Sequence, residues 1–311
     1  MGTVSTGLNR RTLLRLLAYG STLASLGALP VLAKAGQPLM KTIPATGEAI
    51  PVIGMGTWKT FDVGRNGRLL AHRVKVLQTF FEYGGRIIDS SPMYGTSEAV
   101  IGYCLQQLRN AADPFTATKV WTWFGSQGPD QIAASHDLWG VDTFDLMQVH
   151  NILSWEEHLK TLREGKEAGR IRYIGITTSH GRRHKKLEQI MRQEPLDFVQ
   201  LTYNILDREA EPRLLPLAAE RGIAVIANRP FRRKALFDLF QHQPLPPWAP
   251  EIDCANWAQF FLKFIVSHPA ITCAIPATSQ ISHMRENMGA LYGRLPDQVQ
   301  RQRMVRYVES L

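Results

Sequence analysis

Four titratable residues stand where apolar runs end. "RIIDSS" reaches Asp89, Tyr94 follows in "SPMYG", "FTATK" ends at Lys119 and "FDLMQVH" ends at His150. Brought together, these types protonate a carbonyl oxygen. A free phenol has a pKa of about 10 and is a poor acid near neutrality unless a close ammonium lowers that value. Lys119 is the candidate cation, Asp89 its ion-pair partner, and His150 the donor toward negative charge developing on the oxygen. No side chain supplies a hydride, so a reduction needs a redox cofactor as well. Taken singly, each residue has a plainer role: a helix-capping Asp, a surface Lys, a hydrogen-bonded core His, a Tyr with its ring half buried.

Convergence of the four depends on the elements that carry them. From Met40 onward, short β-branched runs alternate with helix-like segments and short links. Strands are expected in "IPVIGMGT", "RIIDSS", "FTATKVW", "FDLMQVHN", "RYIGITT", "DFVQLTYN", "IAVIANRP" and "TCAIPAT", with helices such as "SEAVIGYCLQQLRN" and "WAQFFLKFIVSH" between them. Eight βα units in one chain of this size predict a (β/α)8 TIM barrel, usually ~250 residues, whose active site lies where strands end and βα loops begin. Asp89, Lys119 and His150 all fall at that mouth. A doubly wound open sheet is the alternative, and "GMGTWK" has only the first two glycines of the phosphate fingerprint such a sheet carries.

Composition narrows the class further. The chain has 311 residues, 44% hydrophobic and 20% charged, which is ample for a large core. Its net charge is +9, but Arg10, Arg11, Arg15 and Lys34 lie in an acid-free stretch, residues 1–35, and the excess elsewhere is too mild to predict nucleic-acid binding. Cys104, Cys254 and Cys273 are too far apart for a zinc spacing or a disulfide framework and read as buried small hydrophobes, so no metal is expected.

Residues 1–35 read as an export signal and residues 36–311 as one barrel domain. "NRRTLLRLLAYGSTLASLGALPVLAKA" has paired arginines, an uncharged stretch from Leu16 to Ala33, and small residues at Ala33 and Ala35 that suit cleavage after Ala35. The segment resembles twin-arginine bacterial signals, which implies transient engagement of the twin-arginine export machinery and a periplasmic location. An uncleaved membrane anchor is the alternative; Gly20, Ser21, Thr22, Ser25, Gly27 and Pro30 make the stretch weakly apolar for that role.

The chain from Lys41 to Gly289 resembles the aldo-keto reductases. The likeness is carried by "IPVIGMGTW", by "SPMYGTSE" just after Asp89, and by "TATKVW", "LMQVHN", "AGRIRYIGIT" and "IPATSQISHMREN". It implies a nicotinamide dinucleotide lying across the barrel mouth, hydride transfer between it and a carbonyl or alcohol, and Tyr94 as proton donor. It implies cofactor contacts from Thr57, Trp58, Asp89 and Gln200, the last at the carboxamide. Thr177 and Thr178 stand where the family commonly has Ser-Asn. Asn228 stands where a stacking aromatic is common, and Arg229, Pro230 and Phe231 follow it; Arg229, Arg232 and Arg233 could meet phosphate or form a solvated basic loop.

Near the 2′-phosphate end, Ile275, Ala277, Thr278, Ser279, His283 and Asn287 match the family's nucleotide segment. Families that prefer NADPH commonly have Lys at the position of Ala277 and Arg at that of His283. NADP(H) is expected ahead, with NAD(H) as the other candidate. Trp58, Trp121 and Trp123 could wall an apolar substrate pocket, and Phe124 lies beside them. "HGRRHKKLEQ" is a basic run after the fifth strand, suited to an anionic substrate or to a solvated surface. The activity class is an NAD(P)(H)-dependent oxidoreductase of small carbonyls or alcohols. The other class is a catalytically idle barrel that binds nucleotide as a sensor or accessory subunit. No residue pattern specifies an oligomeric state.

Overall fold

The computed structural model describes residues 36–108 and 113–311. The signal expected in residues 1–35, with its cleavage and export, lies outside the described residues. Among those described, no helix is long and apolar enough to cross a membrane.

All eight expected barrel strands form. The described chain begins with a hairpin, β1 (Met40–Thr42) and β2 (Ala49–Pro51), paired antiparallel. Then follow β3 (Met55–Gly56), α1 (Gly67–Glu82), β4 (Ile87–Asp89), α2 (Ser97–Gln107), β5 (Phe115–Val120), α3 (Gly128–Trp139), β6 (Phe144–Val149) and α4 (Trp155–Glu167). The second half continues with β7 (Ile171–Thr177), α5 (His184–Gln193), β8 (Phe198–Thr202), α6 (Leu214–Glu220), β9 (Ala224–Asn228), α7 (Ala235–Phe240), α8 (Trp257–Val266), β10 (Cys273–Ala274), α9 (Ile281–Gly289) and α10 (Gln298–Glu309). Strands β3 to β10 pair in parallel, in chain order, and bridges Ile53–Ala274 and Gly56–Ala277 join the first strand to the last. This is the (β/α)8 barrel, closed so that no sheet edge is left open.

Alternation along each strand sorts the residues into two cores. Ile87, Phe115, Ala117, Leu146, Tyr173, Phe198, Ala224, Ile226 and Cys273 fill the barrel interior, while Ile88, Met147, Val149, Ile174, Ile176, Val199, Leu201 and Val225 pack outward under the helices. The inward positions change character along the strands: apolar where strands begin, polar where they end. Asp89, Lys119, Gln148, His150, Gln200 and Thr202 are the buried polar continuation of the inward rows.

The hairpin is legible in the sequence only as a lead-in to the first strand. Its Ile43 and Ile50 join the interior cluster at the end where strands begin, and Lys41 Nζ donates to the carbonyls of His268 (2.7 Å) and Ile271 (2.5 Å). It plugs that end, leaving the opposite end as the mouth. Cys104, Cys254 and Cys273 are all free and buried, as expected of small hydrophobes. The last helix, α10, is tied to the barrel by Arg301, whose guanidinium donates to Ser267 Oγ at 2.7 Å and Tyr203 Oη at 2.6 Å.

Glycine sets one helix crossing. A Cβ on Gly102 of α2 would lie 1.9 Å from the Leu138 carbonyl oxygen of α3, a backbone atom that cannot rotate away. Gly102→Ala is expected to destabilise the barrel by about 1–3 kcal/mol through overpacking, lowering the urea midpoint at unchanged slope.

Candidate active site

The mouth is organised around one short segment, Asp89–Ser90–Ser91, where β4 ends. Lys119 Nζ donates to Asp89 Oδ2 at 2.6 Å and to the Ser90 carbonyl at 2.7 Å. Asp89 Oδ1 accepts from Gln200 Nε2 at 2.9 Å and from Gln148 Nε2 at 3.2 Å, and its backbone carbonyl accepts from Thr57 Oγ1 at 2.9 Å. Ser91 Oγ meets His150 Nδ1 at 2.8 Å. Tyr94 closes the one-turn helix Pro92–Tyr94, which Ser91 caps. Its ring stands edge-on to His150, centroids 5.7 Å apart at 85°, with Lys119 Nζ 5.4 Å from its centroid. The expected tetrad is therefore assembled by three successive strands and one turn.

The electrostatics differ from expectation in one respect. Lys119 does not acidify the phenol; burial and the charge of Asp89 push the Tyr94 hydroxyl well above its ordinary value. Desolvation of the phenolate is the larger cause, and the Asp89 carboxylate adds to it in the same direction. Tyr94 is thus a fully protonated donor across the physiological range. His150 is held well below the ordinary imidazole range by burial, and next by the charge of Lys119. It is neutral. Burial likewise pulls Lys119 down, opposed by Asp89 and by Glu98.

Around this tetrad the remaining expected residues fall in three groups. At the end of β7, Thr177 Oγ1 accepts the Asn151 backbone N–H at 2.9 Å, whereas the buried Thr178 Oγ1 has no partner among the described residues. Gln200 is committed to Asp89, and Asn228 donates to the Thr178 carbonyl at 2.8 Å while accepting from Thr202 Oγ1 at 2.7 Å. After β9 the chain turns through positive φ at Arg229 (52°), Arg232 (47°), Arg233 (60°) and Lys234 (95°), a costly run for non-glycine residues. Pro230 and Phe231 are buried there, Phe231 against Phe237 with centroids 4.7 Å apart. Arg229 Nη1 donates to His180 Nε2 at 2.5 Å, and its buried Nε has no partner among the described residues.

The third group lines the start of α9. Ile275 belongs to the barrel interior, Thr278 Oγ1 accepts from the Gln280 N–H at 3.0 Å, and the Ser279 carbonyl meets His72 Nε2 at 3.1 Å. Ala277 and His283 are exposed, and Asn287 is buried. Of the tryptophans, Trp58 is half-buried with Arg233 on its ring at 4.3 Å and Lys59 at 4.8 Å. Trp121 is half-buried; Trp123 is 73% exposed.

Several contributors are not anticipated by the sequence reading. Gln148, two residues before His150, faces the same side of β6 by simple alternation and so points at Asp89. Glu98, 3% exposed, accepts from Thr118 Oγ1 (2.6 Å), Trp139 Nε1 (3.0 Å) and Ser135 Oγ (3.2 Å), linking α2 to β5 and α3. Asn151 follows His150 at φ 56°, a conformation Asn tolerates better than most residues. An acid within an otherwise apolar helix is a readable signal for Glu98; Ser91 and Asn151 carry none.

Residues 52–303 match the sequence pattern of the Aldo/keto reductase family. The chain belongs to that family. An aldo-keto reductase of Strobilurus tenacellus is 28% identical over 258 residues, covering 70% of this chain and 76% of that protein. The NADH-specific methylglyoxal reductase of Escherichia coli is 29% identical over 238 residues, 63% of this chain and 69% of that one. In fold, the barrel superposes on an aldo/keto reductase of Klebsiella pneumoniae, solved with NADP and acetate, with a TM-score of 0.71 at 23% identity, covering 84% of this chain and 93% of that one. As a member, this aldo-keto reductase is an oxidoreductase, and the four converging side chains are its candidate catalytic centre.

Because Asp89 and Lys119 are buried together, removing either alone strands a charge. Lys119→Met and Asp89→Asn are each expected to cost about 3–5 kcal/mol, and the double variant less than the sum. A double-mutant cycle on urea midpoints checks this.

Proposed function

We propose that this chain reduces an aldehyde or ketone to an alcohol, or runs the reverse, using NADP(H) or NAD(H), with Tyr94 as the proton donor. The observation that carries the reading is the meeting of a protonated phenol and a neutral imidazole at the barrel mouth, beside a buried Asp–Lys pair. A bound nicotinamide dinucleotide would supply the hydride that no side chain can. The mouth fits such a group. Thr178 Oγ1 and Arg229 Nε are buried without partners among the described residues, suited to a carboxamide and a phosphate, with Gln200 and Asn228 between them. Thr57, Trp58, Arg232 and Arg233 extend the contact surface along the mouth, and Thr278, Ser279, His283 and Asn287 would meet the ribose-phosphate end.

The chain's own groups then act in sequence on the carbonyl oxygen. His150 donates a hydrogen bond from Nε2, orienting the carbonyl and favouring negative charge on it. Tyr94 Oη gives up its proton as that charge develops, because an alkoxide oxygen is more basic than a phenolate. Lys119 stays paired with Asp89, and its ammonium, 5.4 Å from the Tyr94 ring centroid, is a positive charge beside the phenolate that the departing proton leaves. Trp58 and Trp121 give the carbonyl's substituents an apolar wall, and Arg233 above Trp58 adds a positive charge suited to a substrate carrying an acidic group.

Cofactor preference follows from charge. Ala277 and His283 place no permanent cation at the 2′-phosphate end, so discrimination rests on the Thr278 hydroxyl, Ser279 and the start of α9. NADP(H) is favoured over NAD(H) by a small margin; the Klebsiella protein was solved with NADP, whereas the E. coli relative is NADH-specific. Asn228 is hydrogen-bonded within the chain rather than free to stack, which is the feature that an idle, nucleotide-sensing barrel would share.

Residues 1–35 direct export in this reading. The protein recovered from a bacterial periplasm should then begin at Gly36, as intact mass spectrometry would show; a chain retaining residues 1–35 in the membrane fraction would favour the anchor. For the barrel itself, NADPH and NADH fluorescence titrations of the nucleotide-free protein are expected to saturate, NADPH at the lower concentration. Tyr94→Phe should bind both as wild type does and lose turnover of an aldehyde by about 10²–10⁴-fold, the range of a general acid. Binding without turnover in either protein would support the sensor, and no binding would defeat both readings.

A further inference from the structure

Ser91 caps the turn that carries Tyr94 and also touches His150, so one hydroxyl joins the two groups that face the carbonyl. Its environment determines which way its proton points. Ser91 is wholly buried, with 0% exposure, so water does not compete for its hydrogen bonds. Ser91 Oγ accepts from the Met93 N–H at 3.2 Å. That bond uses a lone pair and leaves the hydroxyl hydrogen to be placed. Among the described residues its other hydrogen-bond partner is His150 Nδ1, at 2.8 Å.

A hydroxyl that already accepts from a backbone amide satisfies its remaining need by donating. Donation to Nδ1 requires that nitrogen to be bare. In a neutral imidazole the single ring proton then sits on Nε2. The opposite tautomer would aim two hydrogens at each other across the Ser91–His150 contact or leave the hydroxyl unpaired in a buried site, an arrangement that buried polar groups rarely adopt. Nε2 makes no hydrogen bond to any of the described residues, while the His150 ring lies edge-on to Tyr94. The N–H so placed is available to a ligand at the mouth.

We propose that Ser91 is a positioning residue that fixes His150 as its Nε2–H tautomer, making His150 a hydrogen-bond donor to the substrate oxygen rather than an acceptor. The assignment rests on the catalytic reading above for its consequence, but the tautomer itself is a property of the resting protein. Burial and the Lys119 charge favour the neutral ring on which the tautomer choice acts. Ser91 also ties geometry to protonation: the hydroxyl that sets the histidine proton is held by the backbone of the same turn that presents the phenol. A misplaced Ser91 would therefore disturb the angle of Tyr94 and the polarity of His150 together.

The test uses the full-length chain labelled with 15N-histidine. In the wild type, the His150 signals, assigned by their absence in His150→Gln, should show a protonated Nε2 and a bare Nδ1 at neutral pH. Ser91→Ala should lose that bias and populate both tautomers, with kcat falling about tenfold while nucleotide Kd stays within twofold. Ser91→Thr, which keeps the hydroxyl, should restore both. A wild-type spectrum with the proton on Nδ1 overturns the proposal without any variant having to fold. So does Ser91→Ala with an unchanged tautomer or an unchanged kcat. A wild type that shows the Nε2–H signature but turns over no carbonyl defeats the proposed function while leaving the tautomer assignment supported.

Discussion

The buried ion pair between Asp89 and Lys119 is the constraint around which the mouth is built. Burying two opposite charges costs more in lost hydration than a surface pair would, and the cost is met only when each charge is fully hydrogen-bonded. Here Asp89 takes Lys119, Gln148 and Gln200 as donors, and Lys119 adds the Ser90 carbonyl. Asp89 ends β4, and the side chains that reach it come from β5, β6 and β8. Satisfying one carboxylate thus sets the register of half the barrel at its upper rim, and the catalytic turn begins immediately after it.

The pair also explains the unusual protonation of its neighbours. An ammonium alone would make Tyr94 a stronger acid and His150 a weaker base. At the phenol, burial and the Asp89 carboxylate act in the same direction and hold Tyr94 protonated. His150 still feels both burial and Lys119, in the same direction, and stays neutral. Two groups that ordinarily titrate on either side of neutrality are thereby both kept as neutral donors, which suits an oxygen that must gain a proton.

Polarity along the barrel axis is what separates scaffold from site. At the end where strands begin, the hairpin isoleucines, Phe115, Tyr173 and Phe198 fill the interior; at the other end the inward row turns to Asp, Lys, Gln, His, Thr and Asn. A polar layer of that kind is stable because its members bond across strands. The exceptions include Gln148 Oε1 and Ser90 Oγ beside the ion pair, Thr178 Oγ1 at the end of β7, and Arg229 Nε in the positive-φ loop after β9.

Much of this is written in the order of residues. Eight apolar runs separated by helical segments specify parallel strands buried on both faces, and eight βα units in a chain of this size favour the closed barrel over an open sheet. Residues at the ends of those runs must then share one mouth, which is why Asp89, Lys119 and His150 are legible together, with Tyr94 just beyond. Glu98 and Gln148 are within reach of the same reasoning, through helix context and strand alternation. What only the tertiary structure decided is how these groups act on one another. Whether Tyr94 is acidified or held protonated depends on its burial and its closeness to Asp89, and the role of Ser91 depends on a ring 59 positions later in the chain. Gln200 bound to Asp89, and Asn228 bound to Thr178 and Thr202, are likewise products of packing. Residue types and local periodicity specify which strand a side chain rides on and which face it takes. Burial, hydrogen-bond direction and the sum of nearby charges arise only when distant segments meet.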